Sequence, residues 1–179
     1  MKTIAATSIA LFSMIAGSAW ADDGLTLGAS IGHANIEDGD NTLSFDADDT
    51  GYKLFANYTF ANYFAIEGGY IDFGEPSDDV LGQRGVIDAD GWTLYGVGAL
   101  PLSDSFDLFA KAGVISWDAE ATIDGIPIVG TDDGEDLALG IGGRWSSNGV
   151  LGLRAEFEWF DISEVDDVWM ASVGVEFRF

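Results

Sequence analysis

The sequence predicts an all-β fold, an eight-stranded antiparallel up-and-down transmembrane β-barrel that occupies residues 22–179. Three observations support this prediction. Eight segments alternate apolar and polar residues with the period of two that is typical of strands. Three short turns alternate with four longer acidic connections, which is the layout of an outer-membrane barrel. Finally, nearly all the basic side chains lie on the polar faces of the segments and not in the connections.

The last segment, residues 167–179, shows the alternation most clearly. One face carries Trp169, Ala171, Val173, Val175, Phe177 and Phe179, whereas the other carries Met170, Ser172, Gly174, Glu176 and Arg178. This period indicates a strand and not a helix. The polar face contains both charges, so we predict that it points into the barrel and that the apolar face meets lipid.

The other seven segments follow the same pattern. We predict strands at residues 25–32, 51–60, 64–73, 90–100, 106–117, 135–145 and 150–160, and long polar loops at 37–50, 74–87, 119–134 and 162–166. Aromatic residues fall near both ends of the strands, where a bilayer selects them. One belt comprises Tyr58, Phe60, Phe64, Trp145, Phe177 and Phe179, and the other comprises Tyr52, Trp92, Trp159 and Trp169.

Residues 1–21 have the features of a signal peptide. Lys2 supplies a positive start, an apolar run follows, and Ala19 and Ala21 form the small-residue pattern of a cleavage site. The mature chain is then expected to begin at Asp22, after export. No later segment has eighteen consecutive apolar residues, so any membrane crossing must use a closed barrel.

Charge placement distinguishes this prediction from a soluble barrel of lipocalin type, which shows the same alternation with the apolar face inside. The polar faces carry few charges of both signs, interleaved with glycine, alanine and serine. An eight-stranded barrel is just wide enough for its own side chains, and a buried charge there requires a partner. We therefore predict an interior ion-pair network of Lys53, Glu67, Lys111, Arg144, Arg154, Glu156, Glu158, Glu176 and Arg178, with Asp107 on the same faces.

The net charge of −24 and the absence of cysteine exclude several classes of protein. Without a basic stripe, the chain cannot neutralise nucleic acid phosphates or an anionic lipid surface. Without cysteine, it has neither a disulfide scaffold nor a thiolate metal site. Cations are the partners that such a charge attracts.

Candidate chemistry in the sequence is sparse. The single histidine, His33, lies on an apolar face near a strand end, and one histidine without a fixed partner predicts an interfacial, non-catalytic residue. Residues 46–51 and 88–91 partly match a calcium loop, but Asn57 replaces the glutamate expected at the twelfth position. We expect loosely bound divalent cations at the loops, and no catalytic residue, cofactor or dedicated metal site.

Residues 100–113, 154–159 and 173–179 resemble the OmpA-like transmembrane domain and the wider outer-membrane β-barrel family, and residues 56–70 match it more weakly. The resemblance implies a Gram-negative outer membrane, periplasmic termini, extracellular acidic loops and a structural or surface-interaction role without catalysis. It also implies contact with outer-membrane lipids and lipopolysaccharide, a monomer, and assembly machinery that recognises a C-terminal signal at Val175, Phe177 and Phe179. A loop-mediated adhesin, a narrow ion channel and, last, a lipid A-modifying enzyme are the alternatives.

The resemblance places Glu67, Lys111 and Arg154 in the interior ion-pair network of the family. Two residues depart from the family pattern: Arg144 stands where relatives have an acidic residue, and Val97 where they have a basic one. The pairing scheme is therefore expected to differ. Because the sequence ends at Phe179, we expect the periplasmic peptidoglycan-binding domain of longer relatives to be absent.

Overall fold

The computed structural model describes residues 24–40, 43–75, 77–80, 83–123, 126–146, 149–162 and 167–179, so the predicted signal peptide lies outside the described residues. Within these ranges the chain forms nine strands: β1 (Leu25–Asp40), β2 (Leu43–Ala61), β3 (Phe64–Asp72), β4 (Ser77–Val80), β5 (Gln83–Ser103), β6 (Phe106–Ile123), β7 (Ile126–Ser146), β8 (Leu151–Asp161) and β9 (Asp167–Arg178). The same ranges contain no helix that is long and apolar enough to cross a membrane.

Eight of these strands close into a barrel. Each pairs antiparallel with its neighbour, in the ring order β1, β2, β3, β5, β6, β7, β8, β9. Pairing of β1 with β9 and of β3 with β5 closes the ring, for example at Ala29 opposite Val175 and Ile66 opposite Gly96. The short strand β4 pairs only with the first residues of β5 in the described part of the chain. The predicted eight-stranded antiparallel barrel is confirmed.

The strands are longer than the sequence pattern predicts. β1 continues to Asp40 and β2 begins at Leu43, while β6 continues to Ile123 and β7 begins at Ile126. The long loops predicted at 37–50, 74–87 and 119–134 are therefore wrong for most of their length. A hairpin that projects beyond a bilayer has no apolar face to bury, so its backbone can pair without the alternation that identifies a strand.

The outward-facing side chains are apolar. Leu54 and Ile141 each expose 62% of their surface, although both lie within barrel strands. The neighbouring inward residue Lys53 exposes only 2%. This is the reverse of a soluble barrel and the arrangement that a lipid environment stabilises. Other large apolar side chains on the exposed face are Ile31, Tyr58, Ile66, Leu94, Leu108, Val114, Leu153, Val173 and Val175.

The aromatic side chains mark both ends of this apolar band. At the short-turn end Tyr58, Phe60, Phe64, Trp145, Phe177 and Phe179 are all exposed. At the end of the long hairpins Tyr52 and Trp92 are exposed, whereas Trp159 and Trp169 are half-buried. Amphipathic rings at two levels are typical of the two interfaces of a bilayer.

The connection after β3 is held by side chains of neighbouring strands. Gly74 has a φ of +81°, a left-handed conformation that favours glycine, and its amide donates to Asp72 Oδ1 over 2.8 Å. The Glu75 amide donates to Asp49 Oδ2 over 2.8 Å. Asp49 belongs to β2, so this carboxylate ties the connection to the adjacent hairpin.

Candidate functional site: the interior of the barrel

Six charged side chains meet in the middle of the barrel, and we call them the central cluster. Its members are Lys53 on β2, Glu67 on β3, Lys111 on β6, and Arg154, Glu156 and Glu158 on β8. Because successive inward positions on a strand are two residues apart, β8 alone supplies three members. All six are buried, and the three cations balance the three anions.

The two lysines of the central cluster share their acidic partners. Lys53 forms ion pairs with Glu156 and, at 2.6 Å, with Glu158. Lys111 Nζ lies 2.6 Å from Glu158, 2.9 Å from Glu156 and 3.1 Å from Glu67. Each ammonium group is thus satisfied inside the protein, which is the condition for burying it.

Arg154 makes the most contacts. Its two terminal nitrogens donate to the two oxygens of Glu67 over 2.6 and 3.0 Å, and it donates to Glu156 through Nε and Nη2 over 3.1 and 2.7 Å. The rings of Phe55 and Phe109 each lie 4.4 Å from its guanidinium carbon. A planar guanidinium suits both a bidentate carboxylate and flanking aromatic faces.

Glycine on the neighbouring strand makes room for these long side chains. Gly140 on β7 lies opposite Lys111, and a Cβ at Gly140 would lie 2.6 Å from Lys111 Cε. Polar neighbours complete the cluster: the Tyr95 hydroxyl donates to Glu158 over 3.0 Å, and Asn57 Nδ2 donates to Glu67 over 3.4 Å. The interior glycines of the sequence therefore serve packing of the charged groups.

A second, smaller group lies near the short-turn end, and we call it the rim group. Arg144 Nε and Nη2 donate to Asp107 Oδ2 over 3.3 and 3.2 Å, and Arg144 Nε lies 3.6 Å from Glu176 Oε1. Arg144 and Asp107 keep part of their surface exposed. Asp107 stands directly opposite Arg144 in the β6–β7 register. The cation that departs from the family pattern thus has its acidic partner on the next strand.

The predicted network residues therefore occupy three places. Six form the central cluster, and Arg144 and Glu176 belong to the rim group. Arg178 is exposed, with its guanidinium beside Gly24 at the start of the barrel, so it lies outside both groups. The other departure, Val97, stands opposite Lys111, whose charge is met by three carboxylates from other strands.

The interior also contains a feature that the sequence analysis missed. Towards the long hairpins most inward side chains are apolar, with Thr93 and Asp136 as polar exceptions. We call the apolar ones the outer apolar layer: Ala34, Ile36, Ile71, Phe73, Ile115, Trp117, Phe160, Val168 and Met170. Phe73 and Phe160 pack edge to face with ring centres 5.2 Å apart. A signal was present, because Met170 and Phe160 interrupt faces that are otherwise polar. Ion pairs therefore fill only part of the lumen.

His33 and the acidic segments lie outside the interior. His33 faces outward and is exposed, with Nδ1 3.7 Å from Asp48 Oδ2 and its ring 5.6 Å from that of Trp169. Residues 46–51 belong to strand β2, and in a strand the neighbouring side chains of Asp48 and Asp49 point to opposite faces, unlike the converging oxygens of a calcium loop. Among the residues that the structure describes, no group of three or more acidic or histidine side chains is placed to hold a metal ion.

The side-chain carboxylate of Asp49, at the outer end of β2, instead accepts hydrogen bonds from backbone amides. Thr50 and Glu75 donate their amides to its two oxygens over 2.7 and 2.8 Å. These hydrogen bonds lower the pKa of Asp49 below its ordinary value, because they favour the charged carboxylate.

The predicted C-terminal signal lies on the outer surface of β9. Val175, Phe177 and Phe179 are all exposed, and the rings of Phe177 and Phe179 lie 4.9 Å apart. The Phe179 amide donates to the Leu25 carbonyl over 2.9 Å. The end of the chain is thus paired with β1, at the position where the barrel closes.

The sequence is similar to outer-membrane proteins of known family. A family model described as the OmpA-like transmembrane domain matches residues 20–179. Outer membrane protein A of Escherichia fergusonii is 25% identical over 194 residues, which cover 99% of this chain and 55% of the relative. The homologue from Yersinia pseudotuberculosis is 26% identical over 197 residues, again 99% of this chain and 55% of the relative. The chain thus spans about half the length of these relatives.

Solved structures with the same fold are also outer-membrane proteins. Neisserial surface protein A superposes with a TM-score of 0.66 and 14% identity, covering 87% of this chain and 97% of that one. OprG from Pseudomonas aeruginosa superposes with a TM-score of 0.65 and 15% identity, covering 88% of this chain and 96% of OprG. Ail of Yersinia pestis was solved with the heparin analogue sucrose octasulfate. It superposes with a TM-score of 0.58 and 18% identity, covering 87% of this chain and 99% of Ail. At these identities the likeness concerns the fold.

Proposed function

The chain belongs to the OmpA-like transmembrane domain family, and from this premise we propose that it is a structural and surface-presenting barrel and neither an enzyme nor a carrier. It is an eight-stranded β-barrel of the cell outer membrane. The observation that carries the proposal is the filled lumen. Arg154 on β8 bonds Glu67 on β3, and these two strands lie on opposite sides of the ring.

A carrier or a wide pore needs free space inside the barrel. Here both the central cluster and the outer apolar layer contain contacts that cross the lumen, through Arg154 and Glu67 and through Phe73 and Phe160. Barrels with eight strands are just wide enough for their side chains. The surfaces left for interaction are the lipid-facing wall and the long hairpins.

The hairpins present an acidic surface. Asp118 stands between Asp90 and Asp133 on the neighbouring strands, and Asp90 in turn stands opposite Asp72. Burial, with these neighbouring carboxylates, raises the pKa of Asp90. Ail was solved with a sulfated heparin analogue, but a net charge of −24 disfavours a polyanion here. A cationic partner fits this surface better.

A complementation experiment separates the structural role from the surface-interaction role. In a strain that lacks the protein, we would restore either the full chain or a variant whose β1–β2 and β6–β7 hairpins are shortened to the level of the aromatic belt. Detergent sensitivity of the cells measures the structural role. If both chains restore resistance, the barrel itself carries the function.

If only the full chain restores resistance, the hairpins carry it and an extracellular partner must be sought. If neither does, a structural role in the envelope is refuted. Boiled and unboiled gel mobility of the extracted membranes controls for folding of the shortened variant, because intact small barrels resist detergent denaturation and migrate differently.

We propose that His33 has no catalytic role. It faces the outer interface with Asp48 and Trp169 around it. The His33→Gln variant should leave the lipid A mass spectrum unchanged relative to wild type. A lipid A species that is present with wild type and absent with the variant would contradict this.

We propose that residues 1–21 are a signal peptide, that the mature domain is a monomer in contact with lipid and lipopolysaccharide, and that the assembly machinery recognises Val175, Phe177 and Phe179. Replacing Phe179 with serine should delay appearance of the heat-modifiable form in cells without changing refolding of purified chain. The exposed Phe106→Ser variant serves as control.

We also propose that divalent cations associate loosely with the acidic hairpins. Carboxylates directly opposite each other repel, and a diffuse cation reduces that repulsion. Millimolar Ca²⁺ should raise the unfolding temperature of the purified barrel, and the Asp118→Asn variant should respond less. An equal response of variant and wild type would contradict a contribution from this row.

A further inference from the structure

The outer apolar layer lies across the whole lumen. Phe73 directly follows β3 and Phe160 lies near the end of β8, and three strands separate β3 from β8 on either side of the ring. Their rings nevertheless touch, with centres 5.2 Å apart. The two phenylalanines therefore reach the middle of the barrel from opposite walls.

Other side chains close the space around these rings. Ile71, Ile115 and Met170 expose none of their surface, although they come from three different strands, β3, β6 and β9. An ion that entered between these side chains would lose its water and find methyl groups and ring faces around it; the nearby polar pair, Trp117 Nε1 and Asp136 Oδ2, is already hydrogen-bonded over 2.8 Å. Stripping water from a charge without replacement is prohibitive, which is why apolar constrictions in channels block ions.

The central cluster below the layer is a barrier of a different kind. Its charges bond one another across the lumen, but they are polar atoms that water can also solvate. Ser30 Oγ, Ser172 Oγ and Glu176 Oε2, also inward-facing, are buried without a hydrogen-bond partner among the described residues. Buried atoms of this kind favour water. The polar half of the lumen can therefore hydrate if its ion pairs open, whereas the apolar half cannot.

We propose that the outer apolar layer is an ion barrier in its own right, in series with the central cluster, so that the barrel stays closed when the ion pair that crosses the cluster is removed. The proposal goes beyond a structural role, because it assigns the closure of the lumen to particular residues. It also separates the two halves of the interior by function: the charged half stabilises the barrel and blocks ions only while its ion pairs are formed, whereas the apolar half blocks ions in either case.

Conductance in planar bilayers tests the proposal. The variant Glu67→Gln with Arg154→Gln removes one charge of each sign and the ion pair that crosses the lumen, and the remaining Lys53, Lys111, Glu156 and Glu158 still pair with one another. This cluster variant should remain as silent as wild type. Adding Phe73→Ser and Phe160→Ser to it should produce channel openings, which the cluster variant alone does not show.

Two controls isolate the apolar character of the layer. Phe157 lies on β8 but faces outward, so adding Phe157→Ser to the cluster variant should leave it silent. Adding Phe73→Leu and Phe160→Leu should also leave it silent, because leucine shortens the side chains but keeps them apolar. Heat-dependent gel mobility confirms that each variant is folded before recording.

Three results would overturn the proposal. Openings of wild type or of the cluster variant would show that an intact apolar layer does not block ions. A silent, folded serine variant would show that the barrier lies elsewhere. Equal openings of the leucine and serine variants would show that ring packing, and not the absence of polar partners, forms the barrier.

Discussion

Replacing Glu67 with alanine removes the carboxylate on which two cations of the central cluster converge. Glu67 accepts hydrogen bonds of 2.6 and 3.0 Å from Arg154 and one of 3.1 Å from Lys111. Without it, the cluster changes from neutral to one net positive charge, still enclosed in the barrel. The variant therefore creates a buried cation without a full complement of partners.

The magnitude follows from the burial. Breaking a buried pair by removing one partner costs about 3–5 kcal/mol, because the remaining charge stays desolvated. With a urea dependence of about 2 kcal/mol per molar, this loss corresponds to a midpoint lower by about 1.5–2.5 M. Unfolding of the barrel in lipid vesicles can be followed by tryptophan fluorescence and by gel mobility.

The double variant Glu67→Ala with Arg154→Ala sharpens the test. It leaves Lys53, Lys111, Glu156 and Glu158, which again balance in charge, so its loss should be about 1–3 kcal/mol smaller than the sum of the single losses. Asp104→Ala, in an exposed turn, should leave the midpoint unchanged. A Glu67→Ala midpoint equal to that of Asp104→Ala would refute the stabilising role of the cluster.

Three further predictions concern other parts of the barrel. Arg154→Lys should lower the free energy of unfolding by about 2 kcal/mol in the same urea assay, because a lysine cannot form the paired bonds or stack between two phenylalanine rings; an unchanged midpoint would contradict this. The pKa of Asp49 is lowered, so its bond to the Glu75 amide should persist above about pH 4 and disappear as pH falls through that lowered value. Hydrogen exchange of the Glu75 amide, corrected for its intrinsic rate, measures the presence of this hydrogen bond at each pH. Equal protection of that amide in wild type and in Asp49→Ala at neutral pH would exclude the bond. Gly113→Ala should lower the free energy of unfolding by about 1–3 kcal/mol, because its Cβ would collide with a backbone carbonyl of β5. Gly98→Ala has open space around its Cβ, so its free energy of unfolding should lie within about 1 kcal/mol of wild type. Equal urea midpoints of the two variants would contradict the packing at Gly113.

The barrel part of the fold follows from sequence because its cause is local. A strand of a transmembrane barrel has lipid on one side and a narrow interior on the other, so the polarity of each residue indicates which side it faces. A slip of one residue would turn Lys53 into the lipid and Leu54 into the lumen, which excludes alternative registers. The hairpins beyond the bilayer have water on both sides, so their strands, such as residues 130–136 of β7, carry no such pattern.

The candidate site could be predicted as a set of residues but not as a set of pairs. Polarity and parity predicted inward charges at Lys53, Glu67 and Lys111. They did not predict that Arg178 would be exposed, although it lies on the same face of β9 as Glu176. Its place at the rim depends on where β9 ends relative to the neighbouring strands. Nor did they distinguish the central cluster from the rim group, since depth in the barrel depends on the stagger between strands.

By itself, the sequence determined the number of barrel strands, the face that each strand turns to lipid, and the presence of a charged interior. These properties depend on neighbours along the chain and on the solvent on each side of the wall. Only the tertiary structure decided that Arg154 meets Glu67, 87 positions away in the chain, and that Phe73 meets Phe160 above them. Such contacts form when the ring closes and brings opposite walls of the barrel close together. The alternation along a strand shows which face a residue is on, but it does not show which residue of the opposite wall lies near it.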